Sequence, residues 1–285
     1  ESAPSLAGVA ISNLPAHETS VAATYKKAPL SFEANQGQAD ASVKFLTRGV
    51  GYELYLTSTQ AVLSLPRKTN ERASQKTNSA HGNLQFARRD VVRMKLIGAR
   101  PDTRVAGEEV LPGKVNYLLG SDPRAWRTNV ATYGKVKYDS IYNGIDLVYH
   151  GNQRQLEYDF HVAPGADPDL IRLGFEGIKR IEIDSATGDL VLKLSGGALI
   201  RQHKPVLYQE EKGRRRPIVG QFVIRARGQI GFDVGEYDKT LPLIIDPVLS
   251  YATHFGGDGQ EGTSGIAVDP SGSVYVAGSF LTSSG

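Results

Sequence analysis

No cysteine occurs among the 285 residues. That excludes a disulfide framework, a thiolate metal site and a cysteine nucleophile, and it leaves the compartment open. Methionine and tryptophan occur once each. No apolar run approaches the roughly 18 residues of a membrane-spanning helix, so no span is expected. Neither charge dominates: 33 Lys and Arg stand against 30 Asp and Glu, a net charge of +3. This is too small and too scattered to argue for nucleic acid, whose binders show a clustered basic face. Gly256-Gly257 is not followed by the Gly-Lys-Ser/Thr of a phosphate loop, and neither a Gly-x-Ser-x-Gly elbow nor a His-Glu-x-x-His pair is present. With no complete catalytic motif, neither an enzymatic activity nor a cofactor is expected.

Glycine (31) and tyrosine (13) are plentiful, as suits short strands joined by tight turns. The clearest pattern runs from Tyr142 to Val162. Leu156, Tyr158, Phe160 and Val162 alternate with Gln155, Glu157, Asp159 and His161, and Ile145, Leu147 and Tyr149 alternate before them. A period of two marks a half-buried strand. A turn at Asn152-Gln153 beside Gly151 predicts a hairpin in which Tyr149 meets Leu156, Leu147 meets Tyr158 and Ile145 meets Phe160.

Outward from that hairpin, Val43 to Arg48, Tyr52 to Thr57 and Ala61 to Leu65 predict a meander. Val91 to Ile97 and Val130 to Tyr138 read as strands. Leu111-Pro-Gly reads as a turn into a short strand, and Asp122-Pro-Arg-Ala-Trp126 as another turn. Downstream, Ile171 to Phe175, Ile181 to Ile183 and Leu190 to Leu194 alternate, and Phe222 and Ile224 pair with Ile230, Phe232 and Val234 across Arg227-Gly228. Short strands with recurrent turn signals predict an all-β fold: sandwich-like, of antiparallel strands, as one domain or two sub-lobes. Residues 1–28, rich in Ala, Ser and Pro, are expected to be a flexible leader, with a mature or trimmed start. The polar stretch 66–90 is expected to be a mobile loop.

At Leu241-Pro-Leu-Ile-Ile-Asp-Pro247 two prolines frame an apolar strand and suggest a domain edge. Beyond it come Phe255-Gly-Gly, Gly265-Ile-Ala-Val-Asp269 and Ser273-Val-Tyr-Val-Ala-Gly278. This segment resembles the repeat of a bacterial seven-bladed β-propeller family. Phe32-Glu-Ala-Asn-Gln-Gly, Leu156-Glu-Tyr-Asp-Phe, Pro164-Gly-Ala-Asp and Leu243-Ile-Ile-Asp-Pro resemble the β-rich, uncharacterised domain that precedes such repeats. The resemblance implies a β-rich domain over 29–248, a first, incomplete propeller repeat over 249–285, and an exported or cell-surface protein with an adhesion or scaffold role. Its partners would be the remaining blades and a surface glycan or protein. One repeat cannot close a propeller, so the chain is expected to be a piece of a longer protein.

The predicted register sets Asp146 opposite Asp159, with His161 on the same face. Like charges across a strand pair are unfavourable, so a cation, a shared proton or a nearby base must neutralise them. Asp146, Asp159 and His161 are therefore the candidate metal ligands, or the carboxylate pair of a hydrolase. Neutralisation by Lys135, Lys137, Arg154 or Arg172 on a solvated face is the plainer alternative. Asp167-Pro-Asp169 and Asp258-Gly-Gln-Glu261 offer loop oxygens for calcium or, more simply, turn capping. Lys212-Gly-Arg-Arg-Arg216 reads as a charged hairpin tip. Tyr138 and Tyr142, if exposed, would serve a carbohydrate-binding or accessory domain of a polysaccharide-acting enzyme by stacking on sugars.

Overall fold

The computed structural model describes residues 30–49, 51–66, 89–118, 120–152, 155–252, 261–268 and 274–280; at positions 152 and 155 and from 250 onward the backbone alone is described. The expected leader, nearly all of the 66–90 loop, and the Asp258-Gly-Gln stretch lie outside these residues. The described residues contain no α-helix. Their strands are β1 (Phe32–Ala34), β2 (Val43–Gly49), β3 (Tyr52–Thr57), β4 (Gln60–Pro66), β5 (Arg89–Leu96), β6 (Val105–Tyr117), β7 (Arg127–Tyr142), β8 (Ile145–Asn152), β9 (Gln155–Val162), β10 (Leu173–Glu176) and β11 (Ile178–Ile183). Then follow β12 (Leu190–Leu194), β13 (Leu199–Gln202), β14 (Val206–Glu211), β15 (Arg214–Ile218), β16 (Gly220–Ile224), β17 (Ile230–Val234), β18 (Leu243–Asp246), β19 (Val248–Ala252), β20 (Glu261–Val268) and β21 (Val274–Phe280). The first 19 form one sheet, and β20 and β21 form a separate pair.

Every pairing in the large sheet is antiparallel, and the sheet is nearly closed. From β1 the ladder runs through β2, β3, β4 and β5 to β10. From β11 it continues through β12, β13, β19, β9, β8 and β7 back to β1. Only Gly177 separates β10 from β11. Its φ is +81°, and a Cβ there would lie 1.9 Å from the carbonyl oxygen of Val91. Glycine alone lets the chain pass so close and change partners there. Three branches leave the ring: β6 on β7, β18–β14–β15 on β9, and β17–β16 on β10.

The alternation of the sequence fills the interior. Leu147, Tyr149, Leu156, Tyr158, Phe160 and Val162 are all buried. Rings run from Tyr138 through Tyr149, Tyr158, Phe160 and Phe232 to Phe222, with successive centroids 5.5–5.9 Å apart. Aromatic pairs at such spacing add to the area they bury. The Tyr158 hydroxyl donates to Gln202 Oε1 at 2.7 Å, and the Tyr138 hydroxyl to the Thr57 carbonyl at 2.7 Å. Both keep a partner inside an apolar core.

The expected meander, the Phe222–Phe232 pairing and the charged tip at Lys212 are all present. Lys212 and Gly213 have φ of 50° and 76°, the left-handed pair that a two-residue hairpin turn requires. Four expectations need correction. The central hairpin is slipped by two positions: Tyr149 faces Tyr158, Leu147 faces Phe160 and Ile145 faces Val162. A slip of two preserves the buried face, since side chains alternate with period two. Tyr138 and Tyr142 are 1% and 4% exposed, so neither can stack on a sugar. Leu111-Pro-Gly is not a turn between elements. It lies within the 13-residue β6, where the register with β7 shifts between Val110 and Lys114. Finally, the stretch from Leu249, expected to open a separate repeat, supplies β19 of the large sheet, bonded to β13 on one edge and β9 on the other.

Candidate functional site

The outer face of β8 and β9 carries the ionisable residues that the alternation keeps out of the core. The register sets Asp146 opposite His161, Val148 opposite Asp159 and His150 opposite Glu157. The expected Asp146–Asp159 opposition is therefore absent, and the two-residue slip is the reason. Asp146 is neutralised by Lys137 at 3.0 Å, and its Oδ1 accepts the Ser140 N–H at 2.7 Å. Lys137 also reaches Asp139 at 3.1 Å. These bonds raise the Lys137 ammonium above its ordinary value.

Asp159 nevertheless meets a like charge, on its other side. The register that sets Ile245 opposite Phe160 and Val248 opposite Glu157 carries Asp246 alongside Asp159. One oxygen of each, Oδ1, is buried without a hydrogen-bond partner. His150 Nε2 lies 2.8 Å from Asp159 Oδ2, and its Nδ1 3.6 Å from Glu157. His161 Nε2 is 4.0 Å from the same Asp159 oxygen.

Burial pushes Asp159 up, but the hydrogen bonds and charges of His150 and His161 outweigh it and hold the carboxyl at about 2. Burial also pushes Asp246 up. There the charges of Asp159 and Glu157 and a hydrogen bond to Asp159 push the same way, against His150, to about 6. Burial lowers His150, yet its bond to Asp159 and the surrounding carboxylates leave it raised. Pairs of carboxyls forced apart in this way share one proton, here until the pH rises through about 6. The arrangement can store a proton on Asp246 below about pH 6 and favours the charged form of His150. The described residues contain no group of three His, Asp or Glu side chains set to hold a metal ion.

The sequence brought Asp159 and His161 together correctly, and Lys137 was among the bases expected to neutralise Asp146. It missed His150 and Asp246. Their signal was present: His150 has the parity of Asp146 on β8, and Asp246 ends the strand framed by two prolines. The Asp167-Pro-Asp169 oxygens serve a turn, since Asp167 accepts the Asp169 N–H at 3.0 Å and Asp169 pairs with Arg225 at 2.5 Å. At the charged tip, Arg215 lies 4.3 Å over the Tyr208 ring and bonds Glu210 at 3.1 Å.

Cavities lie elsewhere. One of about 30 Å³ sits in the core against Tyr149, Tyr158 and Gln202. A groove of about 540 Å³ crosses the outer face of β2 to β5, and one of about 790 Å³ runs between Gly165 and Lys239. None of these three is lined by Asp146, Asp159 or His161. Among the described residues no helix is long and apolar enough to cross a membrane.

The fold thus defines an all-β domain, a nearly closed antiparallel sheet with an aromatic interior and an ion-paired outer face. The chain belongs to the family described as Domain of unknown function (DUF7948), whose model matches residues 32–248. That span runs from the first residue of β1 to the first of β19. No curated protein and no solved structure matches the chain.

Proposed function

We propose that this domain is a non-catalytic, exported or cell-surface module that mounts the β-propeller repeats its C-terminal segment resembles, in an adhesive or scaffolding role. The observation behind this reading is the anchorage of β19. This strand is bonded along both edges, to β9 and to β13, and Leu249 packs in the core. The chain then leads to the β20–β21 pair, where the repeat-like motifs lie. A load on whatever follows Ala252 is carried by an inner strand, which must break two ladders to move. The ionisable cluster supports the same reading, because Lys137 answers Asp146 and His150 answers Asp159, and none of the three cavities is lined by these residues. The hydrolase alternative rested on Asp146 opposing Asp159, and that premise does not hold.

Protease shaving of intact cells that make the natural protein tests the location. Peptides from 32–248 released without lysis are the expected result. Their appearance only after lysis would overturn the surface assignment.

A further inference from the structure

The groove over β2, β3, β4 and β5 has the makings of a ligand site that the ion cluster lacks. Its floor is a row across four strands: Leu46 opposite Tyr55, Tyr55 opposite Val62, and Val62 opposite Arg93. Tyr55 is half-buried and Val62 beside it is apolar, so the floor joins an aromatic edge to an aliphatic patch.

One wall is the turn after β1, and Asn35 fixes it. Its Nδ2 donates to the carbonyls of Asp40 at 2.8 Å and Val43 at 2.9 Å, while its Oδ1 accepts the N–H groups of Gly37 and Ala39. Gln38 in that turn is held as well, donating to the Ala34 carbonyl at 2.8 Å and accepting the Gln36 N–H at 2.6 Å. The wall is rigid before any ligand arrives, which lowers the ordering cost of binding.

The charges around the groove are unequal in their commitments. Asp40 accepts from the Ser42 N–H and hydroxyl at 2.8 and 2.6 Å. Arg48 is tied through one nitrogen to Glu33 at 2.9 Å and to the Tyr117 hydroxyl at 2.6 Å. Arg93 is exposed and forms no ion pair with a described residue. Its cross-strand neighbour Glu176 gives its carboxylate to Lys95 instead. Among the described residues the groove therefore presents one unpaired guanidinium fork, Arg93, and a second, Arg48, held by Glu33 and facing Glu53 across the strand pair. The carboxylates nearby are each engaged, Asp40 by Ser42, Glu33 by Arg48, and Glu53 by Arg89 and the Tyr55 hydroxyl. Guanidinium forks match carboxylates geometrically.

The class of ligand follows from the strands beneath. All four are paired on both edges: β2 by β1 and β3, β3 by β2 and β4, β4 by β3 and β5, β5 by β4 and β10. No backbone edge is free there to add a peptide strand. What remains is side-chain recognition by a phenol ring, the Gln60 amide and two guanidinium planes. Such groups suit rings rimmed with hydroxyls and bearing a carboxylate. The volume, about 540 Å³, falls within the roughly 300–1,000 Å³ of small-ligand sites.

We propose that this groove binds a short stretch of acidic polysaccharide, with the Arg93 fork on a uronate carboxylate, Tyr55 against a sugar ring and Arg48 at the opposite wall. The experiment is calorimetric titration of the 285-residue chain with an oligogalacturonate, its methyl-esterified counterpart and a poly-glutamate peptide. The expected result is binding of the oligogalacturonate that weakens with salt, with the esterified sugar and the peptide far weaker. Arg93→Gln should cost about tenfold in affinity, and Arg93→Lys, which keeps the charge but loses the fork, should also bind more weakly. Both changes are on an exposed side chain and should leave the melting temperature unchanged. Absence of binding, equal binding of the ester, equal binding of the peptide, or full affinity in Arg93→Gln would each overturn the proposal. A surface location without oligogalacturonate binding would remove this site and leave the mounting role standing.

Discussion

Strand β9 has two faces made by the same eight residues, and they obey different rules. Inward, Leu156, Tyr158, Phe160 and Val162 are 3%, 1%, 0% and 1% exposed, and they join the continuous chain of rings. Outward, Glu157, Asp159 and His161 sit among carboxylates and imidazoles whose charges depend on pH. Dispersion and apolar burial hold the first face, and both are insensitive to protons. The second is held by charge pairs in a half-open setting, where each is worth little and the balance shifts with acid. The strand thus separates what fixes the fold from what tunes it.

The largest effect that could break this contrast lies where the ring turns. Gly177→Ala should cost upwards of about 4 kcal/mol, because the new methyl meets the Val91 carbonyl and φ is positive. Urea denaturation measures it, and a loss below about 1 kcal/mol would mean the β10–β11 passage yields easily. Next comes the inner face. Leu147→Ala should cost roughly 2–5 kcal/mol, as a fully buried leucine opposite Phe160. An equal cost for His161→Ala, which is exposed and expected to change stability by under about 0.5 kcal/mol, would erase the distinction between the faces.

A smaller effect sharpens the outer face. Asp246 is raised in the folded protein, so its stabilising contribution is whole below its ordinary value of 3.8 and is lost as pH climbs through about 6. His150, also raised, acts in the same sense: its contribution is present below 6.5 and fades above its folded value. Asp159 acts oppositely, contributing above 3.8 and losing that only as pH falls through about 2. Stability should therefore decline as pH climbs from about 3.8 through about 6, and His150 carries the decline on above 6.5. Asp246→Asn should remove part of the decline and gain roughly 1 kcal/mol at the alkaline end, after allowance for solvent screening. Melting curves across that range decide it; parallel curves for the two proteins would show that Asp159 and Asp246 do not share a proton.

Much of this was legible in the sequence, and the failures share a cause. Strict alternation identified β8 and β9 and the face each buries, because one buried face imposes a period of two. That period is blind to a slip of two residues, so the partner of Asp159 was misplaced on β8 when its like-charged neighbour lies on β18. The reasoning that opposed carboxylates need an answer was sound; only a long-range pairing, between positions 159 and 246, says which carboxylates are opposed. Tyr138 and Tyr142 misled for a related reason. Their β7 is covered by the rest of a closing ring, and closure is a property of the whole chain. The groove at Arg93 was invisible for the same reason, since its floor draws on four strands and its wall on a turn before them.

The passage at Gly177 also bears on how the chain finds its shape. Leu173 pairs with Leu96 and Phe32 with Tyr133, contacts between segments far apart in sequence. Such contacts must be gathered before they repay the entropy of closing the loops between them. The β8–β9 hairpin needs only a two-residue connection, so it can form early. The ring can be joined only after β19, close to the end of the large sheet, has found its slot between β9 and β13. During synthesis, β9 and β13 therefore wait with open edges until residue 252 has emerged. A stopped-flow refolding trace should show a slow final phase, and β19, not the hairpin, should set its rate.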